Sequence, residues 1–145
     1  MMQTVDAVLA AASLYTDNEL YALIRLPPQA IIAAAGIIAE MNTAFSALLL
    51  DKHEITLLVL QDALSDFEKR LQGAEIAVIR YRLITLDVPL EPGLVGFIGR
   101  ISTVLAEAGV SILSYAAFKR DHLFIPAEDF DVAWAALQRL TQDLK

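Results

Sequence analysis

The residues best suited to chemistry lie in one turn, Val88-Pro89-Leu90-Glu91-Pro92-Gly93-Leu94-Val95-Gly96, set between a strand-like run and a segment of helical periodicity. A helix start leaves its first backbone N–H groups unpaired and carries the positive end of the helix dipole, so it suits an anion. Gly93 and Gly96 let a ligand come close to the backbone. A carboxylate, such as that of a free amino acid, is the natural guest. The competing reading is structural: Pro92-Gly93 makes a tight turn, and Gly96 leaves room for a helix to pack on a sheet. Elsewhere the chemistry is sparse. There is no cysteine, and the two histidines are His53 and His122. His53 falls in a turn and reads as a solvated residue. His122 follows Asp121 at the start of a strand, where neighbours point to opposite faces, so the pair cannot align as in a catalytic triad. The carboxylate pairs Glu128-Asp129 and Asp62/Asp66 read as first-turn and surface charges. No GxSxG, HExxH, Walker or GxGxxG pattern occurs. The sequence therefore predicts no catalytic residue, no metal and no cofactor. An enzyme on this scaffold would have to draw on Asp121, His122 and Arg100.

Composition limits the partners. The chain has 145 residues, 57% of them hydrophobic and 20% charged, with a mean hydropathy of +0.53. That is more apolar than an ordinary soluble domain, which predicts surface buried between units or copies. Eleven basic residues against eighteen acidic ones give a net charge of −7. The densest basic clusters, Lys69-Arg70 and Arg80-Tyr81-Arg82, are too small for the basic stripe that nucleic acid or an anionic membrane surface needs. The longest apolar run, residues 30–39, is bounded by Gln29 and Glu40 and is half a membrane span. The first residues, MMQTVDAVLAAAS, carry no basic residue ahead of a short apolar run, unlike a secretory signal. A cytoplasmic location is the expectation.

The elements that must position the turn follow from periodicity. Residues 19–26, 43–50 and 53–60 are apolar runs of strand length, and Asp51-Lys52 suits a hairpin turn between the last two. Residues 27–41 read as a helix with Pro28 in its first turn; being apolar nearly all round, it should be covered on several sides. Residues 61–71 predict a short helix stopped by Gly73. Residues 75–87 form one long strand. Leu94, Phe97, Ile98, Ile101, Val104, Leu105 and Ala108 then recur at helical spacing up to Gly109. Residues 110–118 and 122–125 are strands joined by Lys119-Arg120-Asp121. A last helix after Pro126 buries Phe130, Ala133, Trp134, Leu137 and Leu140. This order predicts an α+β chain of two ferredoxin-like βαββαβ units, 15–80 and 81–145, with antiparallel sheets covered by helices on one face. The second unit ends without a closing strand. A partner chain or the strand at 75–87 is the expected substitute, and residues 4–14 read as an extra helix or strand with no assigned place.

The turn Leu90-Glu91-Pro92-Gly93-Leu94-Val95, running on into Gly99-Arg100-Ile101-Ser102-Thr103-Val104-Leu105-Ala106-Glu107-Ala108-Gly109-Val110-Ser111-Ile112, resembles an ACT domain. ACT domains are βαββαβ regulatory modules that bind amino acids or other small effectors. Phe118-Lys119-Arg120-Asp121-His122-Leu123-Phe124-Ile125-Pro126-Ala127-Glu128-Asp129 is similar to the ACT subfamily of the eukaryotic cytosolic arginine sensors and small bacterial tandem-ACT proteins. Leu20-Tyr21-Ala22-Leu23-Ile24-Arg25-Leu26-Pro27-Pro28 resembles the first unit of such proteins, making that unit a divergent one. The resemblance implies a non-enzymatic regulatory protein, a homodimer, that binds an amino acid at a domain or subunit interface. It implies a site of Glu91, Gly93, Leu94, Val95 and Gly96 from the turn, Ser114 and Tyr115 from the strand, and Asp121, whose carboxylate would hold an amine. The arginine sensors place an acidic residue where this chain has Leu94 and Val95, which points to a smaller or more apolar amino acid. The alternative is an ACT-type dimerisation or partner-docking module without ligand.

Overall fold

The computed structural model describes residues 3–41 and 45–145 and divides into two compact units. One is Glu19–Tyr81; the other joins Met1–Asn18 to Arg82–Lys145. These bounds differ from 15–80 and 81–145 chiefly because residues 3–18 fold with the C-terminal part.

The unit Glu19–Tyr81 holds β2 (Tyr21–Leu26), a 3-10 turn (Pro28–Ala30), α2 (Ile31–Met41), β3 (Ala47–Leu50), β4 (Ile55–Leu60), α3 (Ala63–Asp66) and the first half of β5 (Glu75–Asp87). Its strands lie in the order β3-β4-β2-β5, and each neighbouring pair is antiparallel. The β3–β4 hairpin is made by Asp51, whose carboxylate accepts from the N–H groups of His53 at 2.7 Å and Glu54 at 3.0 Å. Those two donors hold the Asp51 carboxyl below the usual carboxylate range. Ile24, Leu26, Ile55 and Leu57 pack with Ala34 and Ile37 of α2 in one core. Only those two residues of α2 are fully buried, and Ile32 is 85% exposed. Within its own unit α2 is therefore covered on one side, fewer than the several sides expected for an all-apolar helix. The helix expected over 61–71 shortens to α3, after which turns lead to Gly73 at φ 81°. Residues 43–44 of the strand expected over 43–50 lie outside the described residues.

The second unit holds α1 (Val5–Ala11), β1 (Ser13–Tyr15), the rest of β5, α4 (Phe97–Glu107), β6 (Leu113–Ala116), β7 (Asp121–Pro126) and α5 (Phe130–Asp143). The expectation of a missing closing strand is overturned here. β1 pairs antiparallel with the end of β5, Ser13 opposite Asp87, Leu14 opposite Leu86 and Tyr15 opposite Thr85. The closing strand thus comes from the N-terminal segment, laid on residues 85–87 of β5, and not from a partner chain or from the strand at 75–87 itself. Thr4 caps α1, its hydroxyl accepting from the Ala7 N–H at 3.2 Å, and Ala12 turns to an extended ψ of 139° to start the strand. Leu9 of α1, Ile84 and Leu86 of β5, Ile101 and Leu105 of α4 and Leu137 of α5 are all fully buried in one core. Each such aliphatic side chain contributes about 1.5–3 kcal/mol of transfer free energy. Among the described residues no helix is long and apolar enough to cross a membrane.

A cleft at the start of α4

The loop from β5 to α4 and the turn from β6 to β7 form the walls of a cleft of about 240 Å³. The Leu90 N–H donates to the Lys119 carbonyl at 2.7 Å and ties the walls together. Within the loop, the Leu94 N–H bonds the Glu91 carbonyl at 3.0 Å, closing a turn with Pro92-Gly93 at its centre. Gly96 stands at the N-cap of α4 with φ 91° and ψ 4°, a left-handed conformation that strains any residue with a Cβ. A Cβ placed there would meet only Val5 Cγ2, at 4.0 Å. The glycine is therefore needed for its backbone angle, and close packing is not the reason. Having no side chain, Gly96 offers no cap to the first-turn N–H groups, while its carbonyl accepts from the Arg100 N–H at 3.0 Å.

The opposite wall follows from hairpin register. The Ala117 N–H bonds the Arg120 carbonyl at 2.9 Å, and Ala116 lies directly opposite Asp121. Leu123 and Ile125 enter the helix-covered core, so alternation places Asp121 on that same side, at the end of the sheet where the cleft lies. Burial pushes the Asp121 carboxyl above its ordinary value, and the charge of His122 opposes part of that rise. His122 faces the other way, its Nδ1 2.8 Å from Thr85 Oγ1. Burial pulls its pKa down; Asp121 opposes the change and Arg120 adds to it. Arg120 is engaged with Asp87 at 2.8 Å. Among the described residues, Lys119 and Asp121 form no salt bridge.

Four of the eight sequence-derived site residues, Glu91, Leu94, Gly96 and Asp121, line this cleft. Gly93 and Val95 belong to the same loop but not to the lining, and Val95 is 86% exposed to solvent. Ser114 and Tyr115 are not brought to it. Ser114 pairs with Leu123 two residues further along the strand, and Tyr115 turns to the opposite face, its ring edge-on to Phe124 at 5.6 Å. Strand alternation forbids both from sharing one face with Asp121. The cleft is also lined by Leu90 and Pro92 of the singled-out turn, by Ala116 and Ala117 of the strand beside it, and by Phe97, Ile98, Phe118 and Lys119, which the sequence reading does not assign to a site. Ala116 was within reach of sequence reasoning, since the Lys119-Arg120 turn sets it opposite Asp121. Ile98 was assigned to the buried stripe of α4, whereas Phe97, Ile101 and Leu105 carry that stripe and Ile98 faces the cleft. Every lining residue belongs to the unit that contains α4.

Chemically, the arrangement can hold a small zwitterion. A carboxylate stands on one side, the N-terminus of a helix and the Lys119 ammonium are available to an anion, and apolar side chains lie between. Among the described residues, no three His, Asp or Glu side chains gather as a metal site.

Residues 77–139, from β5 into α5, match the family model described as the ACT domain. No curated protein matches the sequence. Among solved structures, a protein of unknown function from Vibrio cholerae, described as a possible transport protein, superposes with a TM-score of 0.73 at 23% identity, over 95% of this chain and 96% of that one. A protein from Agrobacterium tumefaciens gives 0.70 at 20% identity, over 90% and 89%. The ligand-free regulatory subunit of aspartate kinase from Thermus thermophilus gives 0.70 at 13% identity, over 90% and 98%. The chain thus carries an ACT-type match over its β5–α5 segment, within a mixed α+β fold shared along most of its length with these proteins.

Proposed function

We propose that this chain is a non-enzymatic regulatory protein, built of tandem ACT units of the arginine-sensor subfamily, that binds a free amino acid in the cleft at the start of α4. The observation that carries this reading is the Asp121 carboxylate, half-buried and without a salt bridge, in an apolar-lined cleft beside an uncapped helix N-terminus. The ligand's ammonium would meet Asp121, and its carboxylate the first-turn N–H groups of α4 or Lys119. The volume lies below the roughly 300–1,000 Å³ of pockets for drug-sized ligands, which suits a single amino acid. Leu90, Leu94 and Ile98 favour an apolar side chain on it.

A thermal-shift panel of the twenty amino acids tests this. The cognate amino acid at 100 times its Kd should add about 2.7 kcal/mol of stability. Asp121→Asn should weaken its binding about tenfold or more, because hydrogen bonds to charged groups contribute about 1.5–3 kcal/mol. No stabilisation by any of the twenty at millimolar concentration refutes the reading.

The alternative, a dimerisation or docking module, is favoured by a separate observation. β3 is an edge strand of its unit with Leu49 57% and Leu50 50% exposed, and no charge or proline interrupts it. Such an edge invites pairing with another strand. A homodimer in which these edges are covered is compatible with either function, and its mass in solution, read by sedimentation, distinguishes dimer from monomer.

A further inference from the structure

We infer that Gln3 is a positioning residue of the cleft, holding the loop after β5 in its ligand-ready shape from the far end of the sequence. The inference rests on the reading of that cleft as an amino-acid site. Gln3 Oε1 accepts from the Glu91 N–H at 2.7 Å, and Gln3 Nε2 donates to the Pro89 carbonyl at 2.9 Å. One side-chain amide thus serves a donor and an acceptor two residues apart, as a neighbouring strand would. The Gln3 backbone N–H also reaches Glu91 Oε2 at 3.3 Å. The loop needs outside support because Pro89 and Pro92 have no N–H to give. Its remaining anchors are the Leu90 bond to the Lys119 carbonyl and the turn from Glu91 to Leu94.

The anchor is itself held in place. Gln3 immediately precedes Thr4, the cap of α1, and Asp6 of α1 pairs with Arg100 of α4 at 2.9 Å. The segment carrying Gln3 is therefore fixed to the helix whose N-terminus forms one side of the cleft. A second consequence concerns the two carboxylates that line it. Glu91 is engaged by the Gln3 N–H, while among the described residues Asp121 has no such donor, so Asp121 is the carboxylate left for an ammonium.

Amide exchange and ligand affinity, measured on the full chain, test the inference with Gln3→Ala and Gln3→Glu. In Gln3→Ala, exchange of the Glu91 N–H should accelerate by about fivefold or more, the equivalent of a net hydrogen bond of about 1 kcal/mol. The Kd for whichever amino acid best stabilises the unmodified chain should rise about threefold to tenfold, with ligand-free Tm nearly unchanged. Gln3→Glu keeps the acceptor for Glu91 but loses the donor to Pro89, and it sets a carboxylate beside Glu91. Its loop should therefore loosen near neutral pH and tighten as the pH falls toward about 4, where a protonated Glu can donate again. That profile reads the latch, and the Kd reads its positioning role. Equal Glu91 exchange in the unmodified and Gln3→Ala chains overturns the latch, and faster exchange with unchanged Kd overturns its positioning role. If no amino acid binds the unmodified chain, the amino-acid reading fails by itself. The exchange comparison and the Gln3→Glu profile still decide whether Gln3 holds the loop.

Discussion

Asp121 and His122 are neighbours whose titrations are displaced in opposite directions by the same cause. Burial disfavours the charged form of each, so the carboxyl moves up and the imidazole moves down. The consequences for stability have opposite signs. Asp121 contributes stability that is complete below the ordinary Asp value of 3.8 and is lost as pH rises through its raised folded value. His122 contributes stability that is complete above the ordinary value of 6.5 and is lost as pH falls through its lowered folded value. Of the two, the histidine has the ordinary value that lies between neutral and mildly acid pH. His122→Gln retains a partner for Thr85 and removes the titration, so it should flatten the loss of stability below about pH 6.5. Urea midpoints at about pH 7.5 and about pH 5.5 check this: the unmodified chain should lose more between them than the variant does. Equal losses in both proteins refute the assignment. On the proposed amino-acid reading the ligand responds to the other residue: protonation of Asp121 removes the charge that pairs with the ammonium, so affinity should fall at acid pH, beginning above 3.8.

At the scale of elements, the informative case is the segment from α1 to β1. Val5, Val8, Leu9 and Ala12 recur at helical spacing, so the helix was open to a periodicity argument, but its role was not. The closing strand has only Ser13, Leu14 and Tyr15, too few residues for alternation to register, and its partners at 85–87 lie seventy or more residues away. Chain order points to a strand after α5, whereas the sheet accepts one from the other end of the sequence. β5 and α4 were legible because each is long and strongly patterned. The cleft was half legible: the loop's Pro-Gly punctuation and helix start mark it, and Asp121 follows from the hairpin. Its apolar lining was hidden because Ile98 and Phe118 look like core or strand residues until register is known. If α1 is integral to its unit, truncating fully buried Leu9 should behave as a core substitution. Leu9→Ala should cost about 2–5 kcal/mol in urea unfolding. A cost near zero would mean that α1 only decorates a unit already complete.

For the molecule as a whole, the sequence division and the structural one differ in a way that can be exploited. The unit with the cleft is discontinuous in sequence, interrupted by Glu19–Tyr81. Its two chain crossings lie side by side. Tyr15 pairs with Thr85, the Thr16 hydroxyl donates to the Leu83 carbonyl, and Arg82 donates to the Asp17 carbonyl at 3.4 Å. Arg82 is further held over the Phe130 ring, 3.6 Å from its centre. An antiparallel pair whose ends are this near can be joined by a two-residue turn. Replacing residues 19–81 with Asn-Gly would link Asn18 to Arg82 as a β-hairpin while leaving α1, β1, α4, α5 and every cleft residue in the chain. The shortened protein should unfold cooperatively in urea, with an m-value reduced in proportion to the surface it no longer buries. If the intact chain binds an amino acid as proposed, the shortened one should bind it with a Kd within about fivefold, since about 1 kcal/mol separates such affinities. A folded hairpin-linked chain that has lost binding would show that Glu19–Tyr81 takes part in recognition. A chain that does not fold would show that the two units are one cooperative body despite their separate cores.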